Sequence, residues 1–169
     1  PAISMRIGSL SPLAADDIEN AIYMIGENGD YRVNSSMHLT KTTELAFPVF
    51  MNDVNIKNLE YATCAWSRDR YLRMIAVPSQ GEKYPDKILA YAYHARQRDY
   101  FGNALGSWTV FEIPATYLTE IEDLQDMSRV LMGTKGAMVY QFDEGPNDNG
   151  YGFTFVRRTP WMDQGRPFN

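Results

Sequence analysis

The sequence predicts an all-β fold made of antiparallel meanders that stack like the blades of a propeller. Aromatic residues make up 13% of the chain, including 11 tyrosines, and aromatic side chains are enriched in strands. Short apolar segments alternate with turns rich in Gly, Pro, Asp and Ser. Four consecutive predicted strands between Glu60 and Pro114 match the length of one propeller blade, about 40–50 residues.

These four strands form the centre of the predicted fold, and a shorter unit precedes them. The strands cover 61–66, 71–77, 87–93 and 106–113. In the shorter unit, a strand over 21–25 leads into Asn28-Gly29, a strong hairpin signal, and the chain returns over 30–33. Residues 37–40 favour a third short strand, residues 1–13 alternate with a period of two as a strand does, and residues 14–20 favour a loop or one helical turn.

Two short helices interrupt the predicted strands. The first covers 53–59, with Asn52 or Asp53 as its N-cap. The second lies within 115–127, where Leu118, Ile121 and Leu124 have helical spacing. Strands over 128–132, 137–142 and 151–158 then form a last unit.

The whole chain, 1–169, is therefore expected to be a single all-β domain or a segment of one. It contains three blade-like units, at about 21–40, 61–114 and 128–158. A closed propeller usually has four to eight blades. Three units therefore favour either part of a larger propeller or an open, sandwich-like arrangement.

Charge and cysteine content exclude several classes of protein. A net charge of −5 argues against a protein that grips duplex DNA by its phosphates, and it suits an acidic wall past which a polyanion slides. The single cysteine, Cys64, excludes an internal disulfide and is expected to be a buried strand residue. We find no signal peptide and no apolar stretch of about 18 residues that would span a membrane.

Few residues have the spacing that metal or cofactor chemistry requires. His38 and His94 lack the further ligands that zinc needs, and Cys64 with His94 would make a nucleophile pair only if the fold brought them together. Residues 143–150 carry several oxygen ligands for calcium, but their spacing departs from the EF-hand pattern, so an ordinary hairpin loop is favoured. No cofactor is predicted.

Enzymatic and phosphate-binding alternatives are also weak. A glycosidase needs two carboxyl groups about 5–9.5 Å apart in a cleft. Phosphate contacts need clustered cations or a glycine-rich loop, and the sequence has no such loop. Exposed arginines at strand ends also protect sheet edges, which is the favoured interpretation here. The candidates for these roles are the carboxylates Glu112, Glu120 and Glu122 and the cations Arg68, Arg70, Arg73, Arg157 and Arg158.

Four aromatic residues are candidate ligand or subunit contacts: Tyr91, Tyr93, Trp108 and Trp161. Alternation along a strand places Tyr91 and Tyr93 on one face. Packing between blades is the favoured role of these side chains, and a sugar-binding platform is the alternative.

The order of the short motifs resembles the β-propeller segments of bacteriophage virion structural proteins. Those proteins are tail nozzle, tail hub and head-to-tail stabilisation proteins of short-tailed phages. The similarity covers about 7–166, and the order of the motifs carries it. The motifs are Ile7-Gly8, Ser11-Pro12, Ile22-Tyr23, Glu27-Asn28-Gly29, Tyr31-Arg32, Ser67-Arg68, Arg70-Tyr71, Leu89-Ala90-Tyr91, Gly106-Ser107-Trp108, Val139-Tyr140, Asp143-Glu144-Gly145, Asn147-Asp148-Asn149-Gly150 and Trp161-Met162-Asp163.

The resemblance implies a non-enzymatic part of the virion. It implies a ring of identical subunits, often six, around the channel through which the genome leaves, in contact with other tail or portal-adaptor proteins and transiently with DNA. Family members are usually much longer than this chain. A receptor- or glycan-binding β module of a phage tail is the alternative.

Overall fold

The computed structural model describes residues 8–43, 52–98 and 104–142. The described residues form eleven strands and one 3₁₀-helix, Ile56–Tyr61. The strands are β1 (Ala15–Ile18), β2 (Ala21–Gly26), β3 (Gly29–Asn34), β4 (Leu39–Lys41), β5 (Thr63–Ser67), β6 (Leu72–Val77), β7 (Lys87–Arg98), β8 (Ala104–Phe111), β9 (Ala115–Glu122), β10 (Ser128–Thr134) and β11 (Val139–Gln141).

The strands make three antiparallel sheets, each a meander in chain order. The first sheet contains β1 to β4, the central sheet β5 to β8, and the third sheet β9 to β11. Every neighbouring pair within a sheet is antiparallel and consecutive in the chain. The prediction of an all-β protein made of antiparallel meanders is confirmed at this level.

The central sheet is packed on both of its faces. Side chains alternate across a strand, so Ile75 and Val77 of β6 point toward the first sheet, while Met74 and Ala76 point toward the third. All four are 0% exposed. A strand with two buried faces needs apolar residues at nearly every position, which explains the continuous apolar run of β6.

The hairpin between β2 and β3 follows the sequence signal. Gly26 pairs with Gly29, so Glu27 and Asn28 form a two-residue loop. Gly29 has φ 126°, a conformation that side chains disfavour, and glycine is therefore suited to this position. The predicted hairpin at Asn28-Gly29 is confirmed.

Two local predictions are wrong. Residues 14–20 contain β1 instead of a loop or helical turn, and residues 115–122 form β9 instead of a helix. The helical spacing of Leu118, Ile121 and Leu124 is misleading, because Leu118 is buried whereas Leu124 is 98% exposed. A period of two, with Leu118 inward and Ile121 outward, describes the segment better.

Other boundaries also differ from the prediction. The predicted helix over 53–59 is a 3₁₀-helix that begins at Ile56, and its N-cap, Asn55, makes no side-chain cap hydrogen bond. Neither Asn52 nor Asp53 is the cap. Strand β7 continues to Arg98, five residues beyond the predicted end. The strands predicted within 1–7 and over 151–158, and the loop at 143–150, lie outside the described residues.

No helix in the described ranges is long and apolar enough to cross a membrane.

Candidate functional site: the contacts between the sheets

A row of four large side chains crosses the central sheet and faces the first sheet. The pairing register places Trp66 beside Arg73, Arg73 beside Tyr91, and Tyr91 beside Trp108. Each residue belongs to a different strand, so the row spans the full width of the sheet. Its one charged member, Arg73, lies between aromatic residues and is 0% exposed.

The guanidinium of Arg73 connects the central sheet to the first sheet. Its Nε donates to Asp16 Oδ2 at 3.0 Å, its Nη1 donates to Asp30 Oδ1 at 2.5 Å, and its Nη2 donates to the carbonyl of Ala14 at 3.1 Å. It also lies 5.6 Å from the centre of the Tyr23 ring. Burial opposes the positive charge, but the carboxylates of Asp30 and Asp16 outweigh it and raise the pKa of Arg73 above its ordinary value.

Asp30 is the deepest carboxylate of this arrangement, with 1% of its surface exposed. Burial raises its pKa, while Arg73 and the Thr42 hydroxyl oppose that rise. Thr42 Oγ1 donates to Asp30 Oδ2 at 2.7 Å, and the amide of Asp30 donates to Thr43 Oγ1 at 3.2 Å. A buried charge is tolerated only when it is paired and hydrogen-bonded, and Asp30 meets both conditions.

Tyr91 and Trp108 lie together against the first sheet. Their ring centroids are 4.7 Å apart, and Tyr91 lies 6.1 Å from Tyr23 of the first sheet. The Tyr91 hydroxyl accepts a hydrogen bond from the amide of Gly106 at 3.0 Å, and Trp108 Nε1 donates to the carbonyl of Thr42 at 3.0 Å. Tyr91 is 4% exposed. These contacts are packing between sheets.

Tyr93 extends the same aromatic group toward solvent. Its hydroxyl accepts a hydrogen bond from Trp66 Nε1 at 2.5 Å, and its ring meets the edge of Tyr71 at 6.0 Å. Tyr71 is 49% exposed. Three of the four predicted contact residues, Tyr91, Tyr93 and Trp108, therefore lie on one face of the central sheet, and Trp161 is outside the described residues. Their role as ligand or subunit contacts stays a prediction.

A second polar group connects the central sheet to the third sheet. Arg68, in the turn after β5, donates to Glu122 at 3.0 Å and lies 3.4 Å from Glu120. Ser128 donates its hydroxyl to Glu120 at 2.7 Å and its amide to Asp69 at 3.0 Å. Arg68 is about half exposed, so removing it is expected to cost less folding stability than removing the buried Arg73.

These contacts decide between several chemical hypotheses. Arg73 is fully buried, which excludes it as a phosphate contact and shows that the favoured interpretation of Arg73 as an exposed arginine at a strand end is wrong. Arg68, a second candidate phosphate contact, is paired with Glu120 and Glu122. These two carboxylates were candidates for glycosidase chemistry, and they are engaged in the same contact. Arg157 and Arg158 lie outside the described residues.

The remaining candidates are distributed over the chain. Cys64 faces the first sheet, where burial and the nearby Asp16 carboxylate raise the pKa of its thiol. His38 lies within 3.4 Å of the Thr40 hydroxyl at an exposed position. Within the described ranges, no three His, Cys, Asp or Glu side chains cluster as metal ligands would.

Asp16 and Asp30 are the residues that sequence reasoning missed. A signal for them was present in β6, where Arg73 is a single cation inside an apolar strand. Such a cation must find carboxylate partners if both faces of the strand are buried. The sequence alone does not identify those partners, because Asp16 and Asp30 are 57 and 43 residues away.

No protein-family model matches the chain. No curated protein matches it.

Proposed function

We propose that this chain is a structural component of a bacteriophage tail or head-to-tail connection, in which it forms part of a rigid ring wall for genome passage. The observation that carries the proposal is the central sheet, which is packed on both faces by sheets of the same chain. Successive antiparallel meanders stacked face to face are the construction of a propeller blade array. This arrangement agrees with the resemblance of the motifs to phage tail proteins.

Directional hydrogen bonds between the three sheets support the proposed mechanical role, because they oppose sliding of one sheet over another. Arg73 joins β6 to β1 and β3 through hydrogen bonds that have direction, whereas apolar contacts alone have none. On the other side of the central sheet, Arg68 and Asp69 in the turn after β5 bond Glu122 and the Ser128 amide of the third sheet. The sheets are therefore fixed in register as well as pressed together.

The proposed function is not enzymatic. Three side chains with catalytic potential are engaged in structural contacts: Asp30 with Arg73, Glu120 with Ser128, and Cys64 in the apolar contact with the first sheet. The described chain also has an open cleft of about 420 Å³, lined by Val54, Asn55, Ile56, Lys57 and Gln80. Among the described residues, that lining contains no carboxylate and no imidazole that would serve as an acid or base.

Assembly of the purified chain tests the proposal. Light scattering coupled to size exclusion should give a mass of several subunits, and negative-stain micrographs should show a closed ring. The contact between subunits should bury more than about 2,000 Å², as obligate assemblies do. A chain that stays monomeric at millimolar concentration and shows no ring would contradict the proposal.

One partly exposed aromatic pair favours the second candidate, a glycan- or receptor-binding module. The rings of Tyr61 and Tyr84 lie 5.2 Å apart, Tyr61 is partly buried and Tyr84 is 48% exposed. The Lys83 amine lies within 5.4 Å of both ring centroids. A glycan array with wild type and Tyr84→Ala separates the two functions. Binding that is lost in the variant supports the module, and unchanged assembly without glycan binding supports the wall.

A further inference from the structure

A row of side chains also crosses the first sheet, on the face that meets the central sheet. The pairing register places Asp16 beside Tyr23, Tyr23 beside Arg32, and Arg32 beside Thr40. Tyr23 is 4% exposed and packs against Tyr91 of the central sheet, which shows the direction in which the row faces. Arg32 therefore lies at the gap between the two sheets, beside β4, the last strand of the first sheet.

Two arginines approach the ring of Tyr23, and they differ in their partners. The guanidinium carbon of Arg73 lies 5.6 Å from the ring centre, and that of Arg32 lies 5.9 Å from it. Arg73 donates to both nearby acids, Asp16 and Asp30. The second oxygen of Asp30 accepts from Thr42, so neither oxygen of this acid is turned to Arg32. Among the described residues, no carboxylate lies within ion-pair distance of Arg32.

The guanidinium of Arg32 is partly inside the protein. Its side chain as a whole is partly exposed, but its Nε is buried and donates to no acceptor in the part of the chain that the structure describes. A charged donor that has lost its water without gaining an acceptor is costly. By comparison, Arg68, Arg73 and Arg129 each pair with a carboxylate.

The neighbouring strand offers further polar groups on the same face. Thr40 is directly opposite Arg32, so their Cβ atoms are about 5 Å apart. The Thr40 hydroxyl lies 3.4 Å from Nδ1 of His38, which is exposed, so the group is open to solvent on this side. A guanidinium beside a hydroxyl suits an anion with several oxygens, because the Nε–H and one Nη–H form a fork that matches two such oxygens.

We propose that Arg32, with the Thr40 hydroxyl beside it, binds an oxyanion at the rim of the gap between the first and central sheets. The ligand is a phosphate or carboxylate group, since both present two oxygens to the fork of one guanidinium. A bound oxyanion supplies the acceptor that the Nε of Arg32 lacks and balances a charge that is partly removed from water. The site goes beyond the proposed ring wall and does not depend on it.

The Nε–H group of Arg32 reports binding directly in proton–nitrogen NMR spectra of the full chain. The signal that disappears in Arg32→Lys belongs to this group. Addition of inorganic phosphate at constant ionic strength should shift it along a saturable curve, with chloride as the baseline. The Nε–H signal of Arg129, assigned in the same way with Arg129→Lys, is the matched control. It should stay in place because that Nε already donates to Asp123.

Thermal unfolding gives an independent measurement. Phosphate at about ten times its dissociation constant should raise the unfolding midpoint of the wild type by about 3–6 °C relative to chloride. Arg32→Met should remove this increment, and Thr40→Val should reduce it. Lys57→Met is the control, since Lys57 is an exposed lysine of the open cleft, and it should keep the full increment. Comparing increments separates lost binding from any loss of stability in a variant.

Acetate in place of phosphate distinguishes the two sources of the oxyanion. A saturable shift of the Arg32 signal with phosphate alone assigns a phosphate group, and a shift with acetate alone assigns a carboxylate group. No shift with either anion overturns the inference, and the Tyr23 ring is then the partner of Arg32. An increment of the same size in Arg32→Met and wild type also overturns it. Ring assembly is measured separately, so either failure leaves the proposed ring wall standing.

Discussion

Arg73 Nη1 lies 2.5 Å from Asp30 Oδ1, and both side chains are buried between the first and central sheets. A buried ion pair often contributes little net stability compared with apolar residues of similar volume. Removing one partner is different, because the other is left charged and unpaired. We therefore expect the pair to specify how the sheets meet and to make the fold sensitive to loss of either residue.

Arg73→Met should lower the free energy of unfolding by about 3–5 kcal/mol, because it leaves Asp30 and Asp16 without their cation. Urea denaturation followed by tryptophan fluorescence measures the change. Arg68→Met is the control, since Arg68 is about half exposed and its loss should cost at most ~1 kcal/mol. Equal costs for the two variants would show that the buried pair has no special role.

Gly106→Ala should destabilise the protein by about 1–3 kcal/mol, the usual cost of overpacking. A Cβ at this position would lie 2.3 Å from the Tyr91 ring and 2.5 Å from the carbonyl of Ala92, so strand or ring must move. Thermal unfolding measures the effect. Gly133→Ala is the matched control, because a Cβ at Gly133 would lie 3.6 Å from the Cβ of Tyr117, an ordinary van der Waals distance, and the substitution should be nearly neutral.

The Cys64 thiol should react slowly with a disulfide reagent in the folded protein at mild alkaline pH. Burial and the Asp16 carboxylate raise its pKa, so little of the reactive thiolate is present. In denaturant the reaction should reach the rate of an ordinary exposed cysteine. A folded-state rate equal to the denatured rate would contradict the placement of Cys64 against the first sheet.

Stability should fall as the pH rises from about 10 to about 12. Burial raises the pKa of Tyr23 from 10.0 to about 12, so the folded protein holds this proton more tightly than the unfolded chain does. The contribution of Tyr23 to the free energy of unfolding is therefore complete below the pKa of the unfolded chain, and it is lost as the pH rises through the pKa of the folded protein. Tyr23→Phe should make the decline shallower in urea titrations across this range. An unchanged decline would exclude Tyr23 as its source.

Local signals were sufficient for much of the fold. Asn28-Gly29 located the first hairpin, and the apolar runs located β2, β5, β6 and β10, because strand and turn preferences act over a few residues. Strand β1 was missed because Asp16 and Asp17 suggest a loop. Asp16 is bonded in this strand by Arg73 from another sheet, and a local window does not contain that information.

The contacts between the sheets were harder to predict from the sequence than the strands themselves. Alternation correctly placed Tyr91 and Tyr93 on one face, but it does not say whether that face meets a ligand or another part of the chain. The answer depends on how meanders stack, and stacking is decided by side chains far apart in the sequence. The helix predicted over 115–127 failed for the same reason, since Leu118 is inward only because β5 and β6 lie beneath it.

The burial of Arg73 has a consequence for the order in which the molecule folds. Each meander pairs only strands that are neighbours in the chain, so each sheet forms from local contacts, and these form quickly. The guanidinium loses its hydration when the first sheet docks, and it gains its acids in the same event. We therefore expect docking of the first sheet to be a late, all-or-none step, with little tolerance for a misaligned approach.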